Sequence, residues 1–307
     1  MANDAARVTN HRVSEETRSQ VLELRRRHSL REVASLTGLP LGTVKTITSR
    51  SGQFRDNPAH RALFSLPPMR ESAETRPATV ELPPQQAITG DKELDAILWL
   101  RQVVDTGQPA LIDLAREAVK RIKTPAKELE KRYAQHLMAS SGNSLAAAFG
   151  SFNFADIEGM ASKTIKREKL RAEAAARFDD VLADTEAELF CLQVLHGLEV
   201  PEDEFSLDKA EVAKRFKARP DLLPYTLADC LHELEYWNRL YWLRNAVDSY
   251  CSEGPPEATA REWFVQGLLA EIRPRSKEEA KAVLRHMSTF DLFDQEESEA
   301  ILENLIG

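Results

Sequence analysis

The side chains able to do chemistry are few and scattered. Cys191 and His196 stand five apart, and Cys230 and His232 stand two apart. Together they offer four donors, yet neither spacing matches a zinc-ligand pattern. Both pairs lie in apolar, helical stretches, where cysteine packs as a small hydrophobe. Core packing is therefore the expectation, and no metal site is assigned. Cys251 has no nucleophile motif around it, and no Gly-x-Ser-x-Gly occurs. Gly142, Gly150 and Gly159 match no phosphate-cradling fingerprint. Glu233 and Glu235 are too close in sequence to face each other from one helix, and both are expected at the surface. The run 236–244 interleaves Tyr236, Trp237, Tyr241 and Trp242 with Arg239 and Arg244. Such a run can stack on single-stranded bases. On a helix, however, its rings cover two adjacent faces, so burial against neighbouring helices or at a subunit interface is expected. Lys163, Lys166, Arg167, Lys169, Arg171 and Arg177, against Glu168 and Glu173, give a local charge of +4. That stretch reads as a solvated helix face. No catalytic constellation emerges, and neither an enzymatic activity nor a cofactor is expected.

Charge adds a location. The 307 residues carry 41 Lys+Arg and 49 Asp+Glu, a formal net charge of −8. This excludes a polybasic nucleic-acid coat. Three cysteines exclude a disulfide scaffold. No run approaches the roughly 18 consecutive apolar residues of a membrane span, and the N-terminal residues have no apolar signal core. A cytoplasmic protein with reduced thiols is expected, with no membrane partner. Along the chain the charge is uneven: residues 1–63 hold eleven cations, ten of them arginine, against six anions. That segment is +5, which leaves −13 for the remainder. Such asymmetry suggests a basic DNA-facing module joined to an acidic body.

The elements that must position these residues are helices throughout. Ser14 can cap a first helix that has acids in its first turn and Arg25, Arg26 and Arg27 at its end. Ser29 can cap a second, from Leu30 to about Thr37, which Gly38 ends. A third fits from Pro40 or Leu41 to Ser49. Residues 52–91 contain six of the fifteen prolines. They read as a semi-flexible linker spanning on the order of 35 Å r.m.s.. The apolar piece 62–68 is an exception inside it, read as a locally collapsed segment with docking onto a partner or onto the body as the alternative. Beyond residue 91 the pattern is again helical, with one or two helices over 156–196 and further helices at 207–217, 226–252, 257–271, 276–288 and 293–305. No strand run stands out. The fold class is all-α: a head at 1–51, a linker at 52–91 and a helical body at 92–307.

One window has a sharp spacing. Ala34 lies four residues before Gly38, Val44 six after it and Ile47 nine after it. A small residue at 34 suits a close helix approach, and Gly38 suits a tight turn with positive φ. Val44 and Ile47, at i and i+3, face one small core with Val33 and Leu39. The rest of the third helix is polar. This stretch, Ser29-Leu-Arg-Glu-Val-Ala-Ser-Leu-Thr-Gly-Leu-Pro-Leu-Gly-Thr-Val-Lys-Thr-Ile, resembles the three-helix, homeodomain-like helix-turn-helix of bacterial regulators, resolvases, transposases and small terminase subunits. The resemblance covers about 40 residues and does not extend to the body. It implies that the third helix enters the DNA major groove. Leu41, Gly42, Thr43, Lys45, Thr46, Ser49 and Arg50 would then face DNA. Lys45, Ser49 and Arg50 would reach phosphate or base edges, and Leu41 a thymine methyl. Arg25, Arg26 and Arg27 would support them through backbone contacts. The usual serine or threonine that opens the third helix is Pro40 here.

The expectation is a sequence-specific double-stranded DNA-binding protein acting in transcription regulation without chemistry of its own. One such module reads only a few base pairs, so a homo-oligomer is expected, held by the acidic body, which is also the place for a protein partner. A second reading is a DNA-processing accessory factor, terminase-like or of a plasmid replication or partition type. A third is a protein-interaction module that binds no DNA.

Overall fold

The computed structural model describes residues 13–52, 54–70, 81–199 and 207–306. It is all-α, with no strand among the described residues. The helices in chain order are α1 (Glu15–Arg27), α2 (Leu30–Thr37), α3 (Leu41–Ser51), α4 (Pro58–Leu63), α5 (Lys92–Asp105), α6 (Pro109–Val119), α7 (Ala126–Ser141), α8 (Ser144–Ser151), α9 (Ile157–Arg177), α10 (Glu186–Leu195), α11 (Lys209–Lys217), α12 (Leu227–Val247), α13 (Pro256–Glu271), α14 (Lys277–Thr289) and α15 (Ser298–Ile306). Of the one or two helices expected over 156–196 there are two, α9 and α10. No described helix is long and apolar enough to cross a membrane.

The chain divides into two compact units. The first comprises Met1–Pro67, Leu182–Tyr241 and Tyr250–Gly307, and the second Pro68–Val181 and Trp242–Ser249. This differs from the expected division into a 1–51 head, a 52–91 linker and a 92–307 body. The reason is nonlocal: residues 54–67 carry side chains whose partners lie more than 150 positions later.

In the first unit, α1, α2 and α3 close on Val21, Val33 and Val44, each fully buried, with Leu24, Leu30, Ala34, Leu39 and Ile47 around them. Ser14 accepts from the Thr17 amide, and Ser29 with Glu32 forms a reciprocal capping box. Gly38 ends α2 at φ 67°, a left-handed conformation that glycine adopts without a Cβ penalty. Three fully buried valines contribute only about 1.5–3 kcal/mol each. A core this small gains from whatever it docks against. The larger core of the unit joins α12, α13, α14 and α15 around Leu227, Leu234, Val265, Leu269, Val283, Met287 and Ile301.

The supposed linker holds a structural plug. Asn57 caps α4 by accepting from the Ala59 and His60 amides, and Pro58 sits in the first turn, where its missing N–H costs nothing. Asn57, His60 and Phe64 are all buried. Phe64 docks edge-on against Phe190, Tyr236 and Trp237, with ring centroids 5.7–6.5 Å apart. So the apolar piece does dock onto the body. The proline count misled because Pro58 begins a helix rather than breaking one.

In the second unit, α5, α6 and α9 surround Ile97, Leu100, Val104, Ile112 and Ile157. Residues 81–91 are pinned too. The Trp99 indole donates to the Pro83 carbonyl at 2.8 Å, and the Ile88 and Thr89 amides donate to Asp95. Asp91 caps α5 and takes an ion pair from Arg132 of α7, which also reaches Glu93 at 2.9 Å. α7 then turns at Gly142 (φ 65°) into α8, and the two pack as an antiparallel hairpin.

Candidate nucleic-acid interface

α3 presents one continuous polar face. Gly42, Lys45, Thr46, Ser49 and Arg50 fall at i, i+3, i+4, i+7 and i+8, and all five are exposed. Val44 and Ile47 occupy the opposite side and close the small core. Leu41 and Thr43 are part-buried at the helix start. The exposed stripe runs about 12 Å along the helix at 1.5 Å per residue. That is the reach of roughly three to four base pairs at 3.4 Å each. α3 contains no carboxylate, and Lys45 and Arg50 make no ion pair among the described residues.

The hydroxyls on this face are partly committed. Thr46 donates to the Gly42 carbonyl at 2.8 Å, which leaves its oxygen only as an acceptor toward a base amino group. Ser49 accepts from the Arg55 guanidinium at 3.3 Å. Arg55 is exposed and stands beside the stripe. It lies beyond the expected site residues, which end at Arg50 with the third helix. At the start of α3, Pro40 supplies no side-chain cap, although its carbonyl accepts from the Thr43 and Val44 amides. The amides of Leu41 and Gly42 thus lie at an N-terminus without a side-chain cap. Open space surrounds Gly42, where an added Cβ meets nothing within 4 Å.

Arg25 has different surroundings from those expected. Its guanidinium lies over the Phe54 ring at 5.4 Å and donates to the His28 carbonyl at 2.9 Å. With Glu23 and Phe54 it lines a cavity of about 140 Å³ whose other walls include Tyr225, Ile272 and Arg273. Burial, and then the Arg273 charge, hold its pKa below the ordinary value. These are contacts within the unit rather than on the α3 face. The Arg26 and Arg27 side chains lie outside the described residues.

What fixes the head's neighbourhood is a fully buried ionic cluster. His60 Nε2 lies 2.6 Å from Glu233 Oε2. Arg261 grips the same carboxylate through Nε at 2.7 Å and a terminal nitrogen at 2.8 Å. The Trp237 indole donates to it at 3.3 Å. The Arg261 guanidinium is caged by Phe64, Phe190, Phe216 and Phe264, at 4.7–5.9 Å from their centroids. Burial raises the Glu233 carboxyl, but the Arg261 charge and hydrogen bonds outweigh it, so the pKa falls below the usual carboxylate range. Beside this cluster, Asp229 accepts from the Asn57 amide at 2.9 Å and from Arg61 at 2.7 Å. Glu233 therefore corrects the surface expectation, whereas Glu235 is exposed. One sequence signal points to it: Glu233 lies three residues after Cys230 and four before Trp237, on the helix stripe that carries Cys230, Trp237 and Leu240 into the core. None of His60, Glu233 or Arg261 lines the cavities of about 600, 140 and 240 Å³ in this unit.

The remaining candidates divide between buried and exposed positions. Cys191 and Cys230 are buried, and burial pushes both thiols up. Among the described residues no group of His, Cys, Asp and Glu could hold a metal ion. Tyr236 and Trp237 are buried, while Tyr241 and Trp242 remain partly exposed. Lys163, Lys166, Lys169 and Arg171 are exposed along α9. Comparison with known proteins gives no matching family model, no similar curated protein and no similar solved structure.

Proposed function

We propose that α2 and α3 form a helix-turn-helix that binds duplex DNA through the exposed stripe of α3. The single observation that carries this reading is that stripe: Gly42, Lys45, Thr46, Ser49 and Arg50 on one accessible face, cationic and free of carboxylates, above a core that fixes its orientation. Lys45 and Arg50 contact phosphate or guanine edges, Thr46 accepts from a base amino group, and Arg55 adds a phosphate contact from the chain after α3. The chain is a sequence-specific regulator of transcription with no chemistry of its own. Its acidic remainder disfavours any other approach to DNA, so binding occurs in one orientation.

The test begins with selection of bound duplexes from a random pool by the full chain, which enriches one discrete motif. Lys45→Ala with Arg50→Ala then lowers affinity for that motif. It also reduces the slope of log K against log salt by about 1.8, for two phosphate contacts at 0.9 each. A double variant that binds as tightly as the parent, with the same slope, refutes the assignment of α3. A discrete motif close to promoters supports regulation. Rings or arrays on DNA together with a nucleotide-driven motor would instead make the chain a processing factor.

A further inference from the structure

The α7–α8 hairpin of the second unit presents an apolar surface that no described residue covers. Residues 137–155 contain no ionisable side chain, the longest such run in a sequence that is 29% charged. α8 buries only Ala147 and Ser151 against its neighbours. It exposes Leu145 (69%) and Phe149 (80%); Phe152 (76%) follows directly at its C-cap, and α7 exposes Met138 (45%). The base is held firmly: Phe154 is buried and stacks on Tyr133 at 3.8 Å, and Asn143 caps α8 with 3.0 and 3.1 Å bonds. The exposed rings are thus presented by a fixed scaffold.

We infer that this hairpin is the surface through which two copies of the chain associate. Three arguments select a second copy over other occupants. First, the area fits. Two phenylalanines at these exposures offer roughly 300 Å² on the 150–250 Å² scale of aromatic side chains. Leu145 and Met138 bring the four side chains to about 450 Å² per copy. Two copies then remove roughly 900 Å² before Ala146, Ala148 and the Asn143 turn are counted, which reaches the ~1,000 Å² that a specific interface needs. Second, the charge fits. Each chain carries −8, so copies repel except across a surface without charge, and this one is neutral. Third, the shape fits: two antiparallel helical hairpins stacked about a two-fold axis make a four-helix bundle, and an apolar face is its own complement there. The inference stands on the hairpin alone and does not require DNA binding.

The mass of the full chain in solution, measured by light scattering at 1–50 μM without DNA, tests it. The expected mass is twice the 34.6 kDa of one chain. Phe149→Glu with Phe152→Glu places four carboxylates at the two-fold contact and raises the dissociation constant at least 100-fold, giving a monomer. Both positions are exposed, so the helical circular dichroism stays that of the parent, while the unfolding midpoint loses the concentration dependence that association gives the parent. Should that variant lose its helical signal, Phe149→Ser with Leu145→Ser removes the same contact without adding charge, and it must also yield monomer. A parent that is monomeric at 50 μM, or a folded variant that keeps the parent's mass, overturns the inference. Lys45→Ala with Arg50→Ala leaves the mass unchanged, so failure of the DNA reading and failure of this one are distinguishable.

Discussion

Replacing Glu233 by Gln tests how strongly the buried ionic cluster holds the first unit. Glu233, His60 and Arg261 are each 0% exposed. Gln keeps the volume and can still accept a hydrogen bond, but it removes the carboxylate charge that two Arg261 bonds at 2.7 and 2.8 Å address. The guanidinium is then buried without a counter-ion, with ring faces, the Leu222 carbonyl and one amide oxygen around it. Breaking a buried pair from one side costs about 3–5 kcal/mol. That is a large share of the ~5–15 kcal/mol by which a domain is stable. The assay is urea unfolding followed by circular dichroism, where the midpoint should fall by about 1–5 M for an m-value of 1–3 kcal/mol/M. The pH dependence has a definite sign. The folded carboxyl lies below its ordinary 4.5, so the pair's contribution is complete above that value and is lost as pH falls through the folded pKa. Glu233→Gln therefore flattens the acid limb as well as lowering the plateau. Arg261→Met combined with Glu233→Gln costs less than the sum of the two, because both remove one interaction. A loss below about 1 kcal/mol with an unchanged acid limb would refute the view that this charge pair locks the unit.

Further expectations concern the plug, the turn and one buried acid. Phe64→Ala empties a site ringed by aromatics and costs about 3–5 kcal/mol in the same unfolding assay. Gly38→Ala strains the left-handed turn by about 1–2 kcal/mol, since open space at that Cβ leaves only the backbone cost. Gly42→Ala meets equally open space at an ordinary φ and stabilises α3 by about 1 kcal/mol, while weakening duplex binding if the backbone approaches DNA there. Burial, and then the Glu233 charge, raise the Glu262 carboxyl above its ordinary value, so its ionised form costs stability as pH rises through the folded pKa. Glu262→Gln accordingly raises the melting temperature at pH 7 and leaves it unchanged well below pH 4.5.

What the sequence made legible was local. Ser14, Ser29 and Gly38 announce the ends of α1 and α2 through hydrogen bonds made within four residues, and the structure places those ends there. Val44 and Ile47 disclose the buried side of α3 because helical spacing alone sets it. Long-range partners left no such mark. Pro58 looks like a helix breaker until Asn57 is seen to cap a short helix that begins with it. Glu233 looks like any surface acid because the side chain that makes its burial tolerable, Arg261, is 28 positions away. Arg25 reads as a DNA contact by charge and helix position, yet Phe54 and the loop around Arg273 decide its surroundings. The division into units was the least legible feature, since Pro67 is a boundary only in light of residues after 181.

The insertion of one unit within the other sets an order of events during synthesis. His60 meets Glu233 across 173 positions. At 5–20 residues per second the ribosome takes roughly 9–35 s to cover that distance. For this interval α4 has emerged without Glu233, and Phe64 lacks Tyr236 and Trp237. Pro68–Val181, by contrast, is complete apart from Trp242–Ser249 and can collapse on contacts of its own. The N-terminal helices are thus made first and secured last. A chain that stalls before α12 presents the exposed stripe of α3 without the cluster that anchors the segment behind it.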